Sequence, residues 1–229
     1  IKALLVVQVD TATSIKTDIL SIRNSLDETN HPALLMVDSI ACLGCDRMEM
    51  DKWGVDVIVA GCQKGLMVPP GMSFIFFNEK AQECRRKIKM VSSYWDWEPR
   101  SNPNQFFEYF GGTAPTHHLL GLREALNMIV NEEGLEEVWK RHQVLSQALW
   151  AACDKWSSEG AIELNVREIE NRSHAVTAFR TNPPFGTKLR DWLTENTGVT
   201  LGIGIMADRS DPAWHGFFRI GHMGHVNAH

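Results

Sequence analysis

Two charged side chains stand at the ends of apolar runs. In Val57-Ile-Val-Ala-Gly-Cys-Gln-Lys64-Gly-Leu-Met-Val-Pro-Pro-Gly71 a β-branched stretch climbs to a small-residue turn that carries a lysine, and Pro-Pro-Gly stops it. In Ala33-Leu-Leu-Met-Val-Asp38 a carboxylate ends a second run, 26 residues before the lysine. Open α/β sheets bind ligands beyond the carboxyl ends of their strands, and parallel strands open on one edge, so both residues are expected on a common rim. The commonest use of a desolvated lysine there is as a nucleophile toward a carbonyl, forming a Schiff base. Alone, a strand-ending aspartate is an N-cap or turn residue. Beside the lysine it acquires a second reading.

One flat heterocycle would use both groups. Pyridoxal 5'-phosphate would take Lys64 at its aldehyde and Asp38 at its ring nitrogen. The anionic aspartate keeps the ring protonated, so that the ring withdraws electrons from a carbanion at the substrate α-carbon. Lys64, displaced by the amino acid, is then free to move the α-proton as general base. Arg219 sits inside the apolar Phe217-Phe-Arg-Ile220. Its planar fork suits an α-carboxylate, and an internal salt bridge is the open alternative. Gly111-Gly-Thr113 before a helix reads as an anion cradle or as an ordinary capped start.

The elements that must position these residues can be read from hydrophobic periodicity. Residues 1–9 form a continuous apolar run, expected as a strand buried on both faces. A hydroxyl-rich turn at 10–14 leads to a helix over 15–30, and a strand over 33–37 completes a βαβ unit. A short helix at 48–53, the lysine strand, a strand at 72–77 and a helix at 79–90 with a basic tail come next. Residues 94–112 are aromatic and irregular. Helices over 115–131 and 134–158 come after them, the first with Leu119, Leu122, Leu126, Ile129 and Val130 on one face. From about residue 161 the pattern changes to strands at 175–179, 199–205 and 217–220 around a helix at 187–196. The fold class is therefore α/β, with a mostly parallel sheet in a large domain (1–112), linking helices (113–158) and a small α+β C-terminal domain (159–229).

Composition narrows the partners. The 229 residues are 44% hydrophobic, ample for a packed core, and carry a net charge of −5 without a basic cluster. Nucleic acid and an anionic membrane surface are not expected as partners. No apolar run approaches the roughly 18 residues of a membrane span, and the start has no charged leader. A chain that opens inside a strand without an initiator Met is expected to be part of something longer. Five cysteines, an odd number, do not form a disulfide framework and suit a reducing compartment, with cytoplasm as the default. Cys42-Leu-Gly-Cys45 has a redox spacing, but the residues after Cys45 are unlike the start of a thioredoxin helix. His222, His225 and His229 have helical spacing with Asn227 among them, yet no carboxylate or cysteine lies near, so no metal is expected. His117 and His118 open a long helix as pocket or cap.

Four motifs, Val37-Asp-Ser-Ile-Ala-Cys-Leu-Gly44, Trp53-Gly-Val-Asp-Val57, Gly61 to Gly71 and Phe218-Arg-Ile-Gly-His-Met-Gly224, resemble class V, fold type I pyridoxal-phosphate aminotransferases in order and spacing. The likeness is to the alanine–, serine– and aspartate–glyoxylate group and runs through nearly the whole chain. It implies Lys64 as the Schiff-base lysine, Asp38 as the pyridinium partner, Ile40 against a ring face, Gln63 beside the phosphate and Arg219 on the substrate carboxylate. Thr113 would reach the phosphate of the neighbouring subunit in a homodimer. The implied activity moves an amino group from a small amino acid (alanine, serine or aspartate) to glyoxylate or pyruvate in two half-reactions. Cys62 stands where the family usually has serine and Phe110 where it often has tyrosine. The family's upstream third, with a glycine-rich phosphate turn and a ring-stacking aromatic, is not in this sequence. Two other readings use the same scaffold. A lyase or desulfurase would employ a cysteine on a mobile loop, and a truncated dimerisation module would employ no chemistry.

Overall fold

The opening apolar run supplies β1 (Ala3–Val7), an edge strand in the computed structural model, which describes residues 1–160, 162–205 and 208–226. β2 (Leu34–Asp38) and β3 (Val57–Gly61) lie parallel to it in sequence order, and β4 (Ser73–Phe77) closes the sheet antiparallel to β3. Val7 stands opposite Asp38, and Asp38 opposite Val59. Side chains opposite one another share a face. The neighbouring positions Leu35, Val37 and Ile58 pack under Ile19, Ile22 and Leu26 of α1 (Ile19–Glu28). Asp38, with Val7 and Val59, therefore belongs to the other face.

That face differs from expectation. β1 is not buried on both sides: Leu5 is 76% exposed and Val7 47%, and Ile75, opposite Val59, is 46% exposed. The helix expected from residue 15 begins at 19. Ile15 and Lys16 instead bridge to Arg172 and Asn171 of the C-terminal lobe, and Asp18 then caps the helix by accepting the Ser21 N–H. The short helix expected at 48–53 is a succession of turns. The Trp53, Gly54 and Val55 N–H groups donate to the Glu49, Asp51 and Met50 carbonyls without a regular helical repeat, and Gly54, at φ +61°, reverses the chain before a helix can propagate.

α2 (Glu79–Arg86), capped by Asn78, is shorter than expected: the Ile88 N–H turns back to the Arg85 carbonyl, and the last two helical residues pair with Asp96 (Arg85) and Glu79 (Arg86). Asp96 precedes a single turn, α3 (Glu98–Ser101). α4 (Thr116–Asn127) runs into a π-turn (Met128–Glu133), and α5 (Leu135–Ser158) starts after Gly134. Leu122, Ala125 and Ile129 face the residues after Lys64, whereas Leu126 and Val130 point outward.

The C-terminal lobe is an antiparallel sheet of β5 (Glu163–Leu164), β6 (Val176–Arg180), β7 (Gly202–Ile203) and β8 (Phe217–Gly221), in the order β5-β6-β8-β7, with α6 (Phe185–Thr197) beside it. Trp150 and Cys153 of α5 pack on Leu164, Phe179 and Phe218. The strand expected over 199–205 reduces to the two residues that pair with Phe218 and Arg219.

Candidate active site

Asp38 and Lys64 both emerge at the carboxyl ends of parallel strands, and the turns that carry them are packed together. After β2 the chain folds through Ser39 to Asp46, and after β3 through Cys62 to Met67. Gly44, at φ +88°, meets Gly65 across this seam. A Cβ on Gly65 would lie 2.2 Å from the Leu43 carbonyl oxygen and 2.8 Å from Cys45 Sγ. Because the obstacle includes backbone, Gly65→Ala is expected to cost at least about 2–3 kcal/mol, read as a lowered urea midpoint with a similar slope. An unchanged midpoint would mean that the two turns slide apart freely.

Asp38 is half-buried, and its Oδ1 accepts the Ile40 N–H at 2.8 Å. Among the described residues Oδ2 has no partner. Lys64 is half-buried too, and its Nζ has neither a hydrogen bond nor an ion pair among the described residues, although its carbonyl accepts the Met67 N–H. A cation left without a protein counter-ion in a packed turn, next to a turn carrying a half-used carboxylate, is what a group binding both would require. Ile40 is half-buried within the same turn, two residues after Asp38, and Gln63 is exposed immediately before the lysine. Cys62 is turned inward: its thiol donates to the Pro69 carbonyl at 3.0 Å and accepts the Met72 N–H at 3.3 Å. It braces the Pro-Pro-Gly stop.

Arg219 comes to this rim from β8. Its Nε donates to the Ile203 carbonyl at 2.8 Å and its Nη1 to the Thr11 carbonyl at 2.9 Å, in the turn after β1. The salt-bridge alternative is not realised among the described residues, since no carboxylate lies within 4 Å and Nη2 is unpartnered. Burial lowers its affinity for its proton, against a favourable effect of nearby Asp10. The 10–14 turn is itself rigid. Asp10 accepts from the Ala12 and Thr13 amides and the Thr13 hydroxyl, and buried Ser14, at φ +60°, accepts the Ala178 N–H of β6. Thr113 is exposed and lies apart, at an open stretch where a Cβ on Gly112 would touch nothing.

Sequence reasoning did not single out the buried polar cluster between this rim and the C-terminal lobe. Asp46 is 1% exposed and accepts from Ser173 Oγ at 2.6 Å and from the His174 N–H at 3.1 Å, with Lys16 Nζ at 3.8 Å. Hydrogen bonding places a proton on Nδ1 of each of three neighbouring histidines, and burial favours their neutral form. His142 donates to the Val138 carbonyl and accepts the Gly224 N–H on Nε2. His174 donates to Ser146 Oγ, whose own proton goes to Gln143. His222 donates to the His174 carbonyl and accepts from Thr177 Oγ1, which in turn receives the Trp150 indole N–H. The only hint in the sequence was the run of histidines near the C-terminus. His222 lies after β8 and not on a helix, while His229 and Asn227 fall outside the described residues.

Burial pushes His222 down to about 4 and lowers His142 and His174, against the attraction of Asp46 for each. Unfolded histidines take a proton near 6.5, so between about pH 6.5 and 4 the unfolded chain binds more protons and stability is lost as the pH is lowered. Above that window the contribution is complete. His222 alone amounts to about 3 kcal/mol across it. The urea midpoint is expected to drop steeply between pH 7 and 5, and less so in His222→Asn. A flat profile would contradict the neutral assignment.

Burial raises the thiol of Cys42 well above its usual value, and those of Cys45 and Cys153 to about 12, the reverse of what redox cysteines need. Among the described residues no group of three His, Cys, Asp or Glu side chains has metal-binding geometry, and no helix is long and apolar enough to cross a membrane.

Known proteins resemble this chain along nearly its whole length. Residues 1–210 match the model of the aminotransferase class-V family. The chain belongs to that family. A serine–glyoxylate aminotransferase of Methylorubrum extorquens is 36% identical over 234 residues, covering 99% of this chain and 55% of that protein. The Arabidopsis thaliana serine–glyoxylate aminotransferase is 34% identical, over 99% of this chain and 54% of that protein. Among solved structures, the pyridoxamine–pyruvate aminotransferase from Mesorhizobium loti superposes with a TM-score of 0.82 at 26% identity, covering 98% of this chain and 55% of that one. This class-V chain thus spans about half the length of the curated relatives it matches.

Proposed function

We propose that the protein is a pyridoxal-5'-phosphate-dependent aminotransferase that moves an amino group from a small amino acid (alanine, serine or aspartate) to glyoxylate or pyruvate. One observation carries the reading: a lysine and a half-used aspartate share a rim to which the second lobe brings an arginine, and among the described residues the lysine Nζ and the arginine Nη2 have no partner. When bound, the cofactor supplies an aldehyde and an electron-withdrawing ring. Lys64 holds that aldehyde and, once displaced, shuttles the proton at the substrate α-carbon. Asp38 Oδ2 would hold the proton on the ring nitrogen, and Ile40 and Gln63 would help to hold the ring and the phosphate. Arg219 orients the substrate through its carboxylate.

The family assignment and the relatives' printed activities support the reaction class. We also take residues 1–112 as part of the cofactor-binding domain, 113–158 as linking helices and 159–229 as the small domain. Thr113, exposed on its open stretch, is suited to serve the phosphate of the neighbouring subunit in a cytoplasmic homodimer. The full-length protein should turn yellow with pyridoxal phosphate and bleach on adding an amino donor. Borohydride should fix the cofactor on the peptide containing Lys64. A protein that stays colourless and unlabelled would sink the proposal. A donor panel against glyoxylate and pyruvate then identifies the substrates.

A further inference from the structure

Asp46 does not belong to the rim, yet it joins the two halves that the rim needs. It ends the turn after Asp38, where its own N–H donates to the Cys42 carbonyl. Its carboxylate reaches 127 and 128 residues along the chain to Ser173 and His174, immediately before β6. β6 pairs along its length with β8, so that Ala178 stands opposite Arg219 and Val176 opposite Gly221. The pairing continues beyond the strands, where the His222 N–H donates to Ala175 and the His222 ring to His174. Past His222 the chain runs onto the lysine turn: a Cβ on Gly224 would lie 3.1 Å from Met67 Cγ and 3.4 Å from the Lys64 carbonyl. Arg219 therefore hangs between two fastenings, Thr11 at its guanidinium and Asp46 at the base of the neighbouring strand.

We propose that Asp46 is a positioning residue for substrate binding, clasping Ser173 and His174 to the Asp38 turn so that Arg219 keeps a fixed offset from Lys64 and Asp38. The inference rests on the aminotransferase reading for what Arg219 binds. The clasp itself is a property of the fold. A fully buried carboxylate with directed donors across two lobes holds its geometry tightly, because any displacement leaves the charge unpaired. Lys16, also on the far lobe's seam through its Asn171 contact, supplies the nearest positive charge. Asp46→Asn keeps the volume but removes the charge, so the bonds to Ser173 and His174 lose their charge assistance and the Ser173 hydroxyl must turn round to accept.

The test uses the full-length protein loaded with pyridoxal phosphate, in Asp46→Asn and in the milder Ser173→Ala. Loss of one charge-assisted bond predicts a KM for the amino donor about tenfold higher in Asp46→Asn and about threefold higher in Ser173→Ala, with kcat little changed. The visible band and borohydride labelling of Lys64 should stay as in wild type. On an Arg219→Lys background Asp46→Asn should add little, since both changes act on the same contact. In cofactor-free protein, amide exchange in residues 217–224 should quicken about tenfold in Asp46→Asn. Unchanged KM and unchanged exchange overturn the proposal, as does a penalty that adds in full to that of Arg219→Lys. Should Asp46→Asn not fold, an unchanged KM in Ser173→Ala overturns it equally. If the wild-type protein itself takes up no cofactor, the aminotransferase reading fails instead, and the exchange measurement still judges the clasp.

Discussion

Lys64→Ala is expected to lower amino transfer by about 10⁴-fold, because in the proposed reaction one side chain would both hold the cofactor aldehyde and move the α-proton. The structure makes the substitution clean. Lys64 Nζ has no hydrogen bond or ion pair among the described residues, so removing it breaks no contact that the fold needs, while the Met67 N–H keeps its bond to the residue 64 carbonyl. Stability should therefore change by less than about 1 kcal/mol. Single-turnover mixing with an amino donor reads the loss, and added small amines should restore part of the rate by standing in for the missing base. Lys64→Arg should be as inactive, since a guanidinium keeps the charge but cannot act as the nucleophile. Activity within tenfold of wild type would assign the chemistry to another amine.

Asp38→Asn separates a turn residue from a chemical one. Asparagine still accepts the Ile40 N–H through its side-chain oxygen, so the turn after β2 survives. What vanishes is the negative charge on the open face of the sheet, beside Val7 and Val59. An amide neither keeps the ring nitrogen protonated nor stabilises its positive charge, and the first half-reaction is expected to slow by about 10²–10³-fold with the thermal midpoint nearly unchanged. Asp38→Glu, which keeps the charge but lengthens the arm, should fall between. If Asp38→Asn reacts at the wild-type rate, the carboxylate only caps its turn, the plainer of the two readings its sequence position allows.

The effects expected at His222 and Gly65 concern the frame and not the chemistry, and they are correspondingly smaller. Both depend on the seam between the Asp38 and Lys64 turns and the C-terminal lobe, where Gly65 and His222 are buried.

Local signals made the βαβ order, the ends of β2 and β3, and the rim residues readable, because an apolar run with a charge at its end is a statement about a few consecutive residues. The same holds for the resemblance, which rests on four contiguous motifs. Where the sequence misled, a distant segment had intervened. Residues 15–17 could have continued a helix but were drawn into pairing with 171–172, and the strand expected over 199–205 kept only the two residues that β8 could pair. Arg219 showed the same limit more sharply. Its type and strand placement allowed a carboxylate or a salt bridge, and only the fold supplied the Thr11 and Ile203 carbonyls that hold two of its nitrogens and leave the third open.

By itself, then, the sequence determined that this chain ends parallel strands with an aspartate and a lysine, and that it keeps to the class-V pattern. Tertiary structure alone decided how those ends are held: by the glycine seam at 44 and 65, and by Asp46 gripping residues 127 and 128 positions away. The reason is physical. Periodicity and turn chemistry act within a few residues, whereas a buried carboxylate finds its donors only after the lobes have packed.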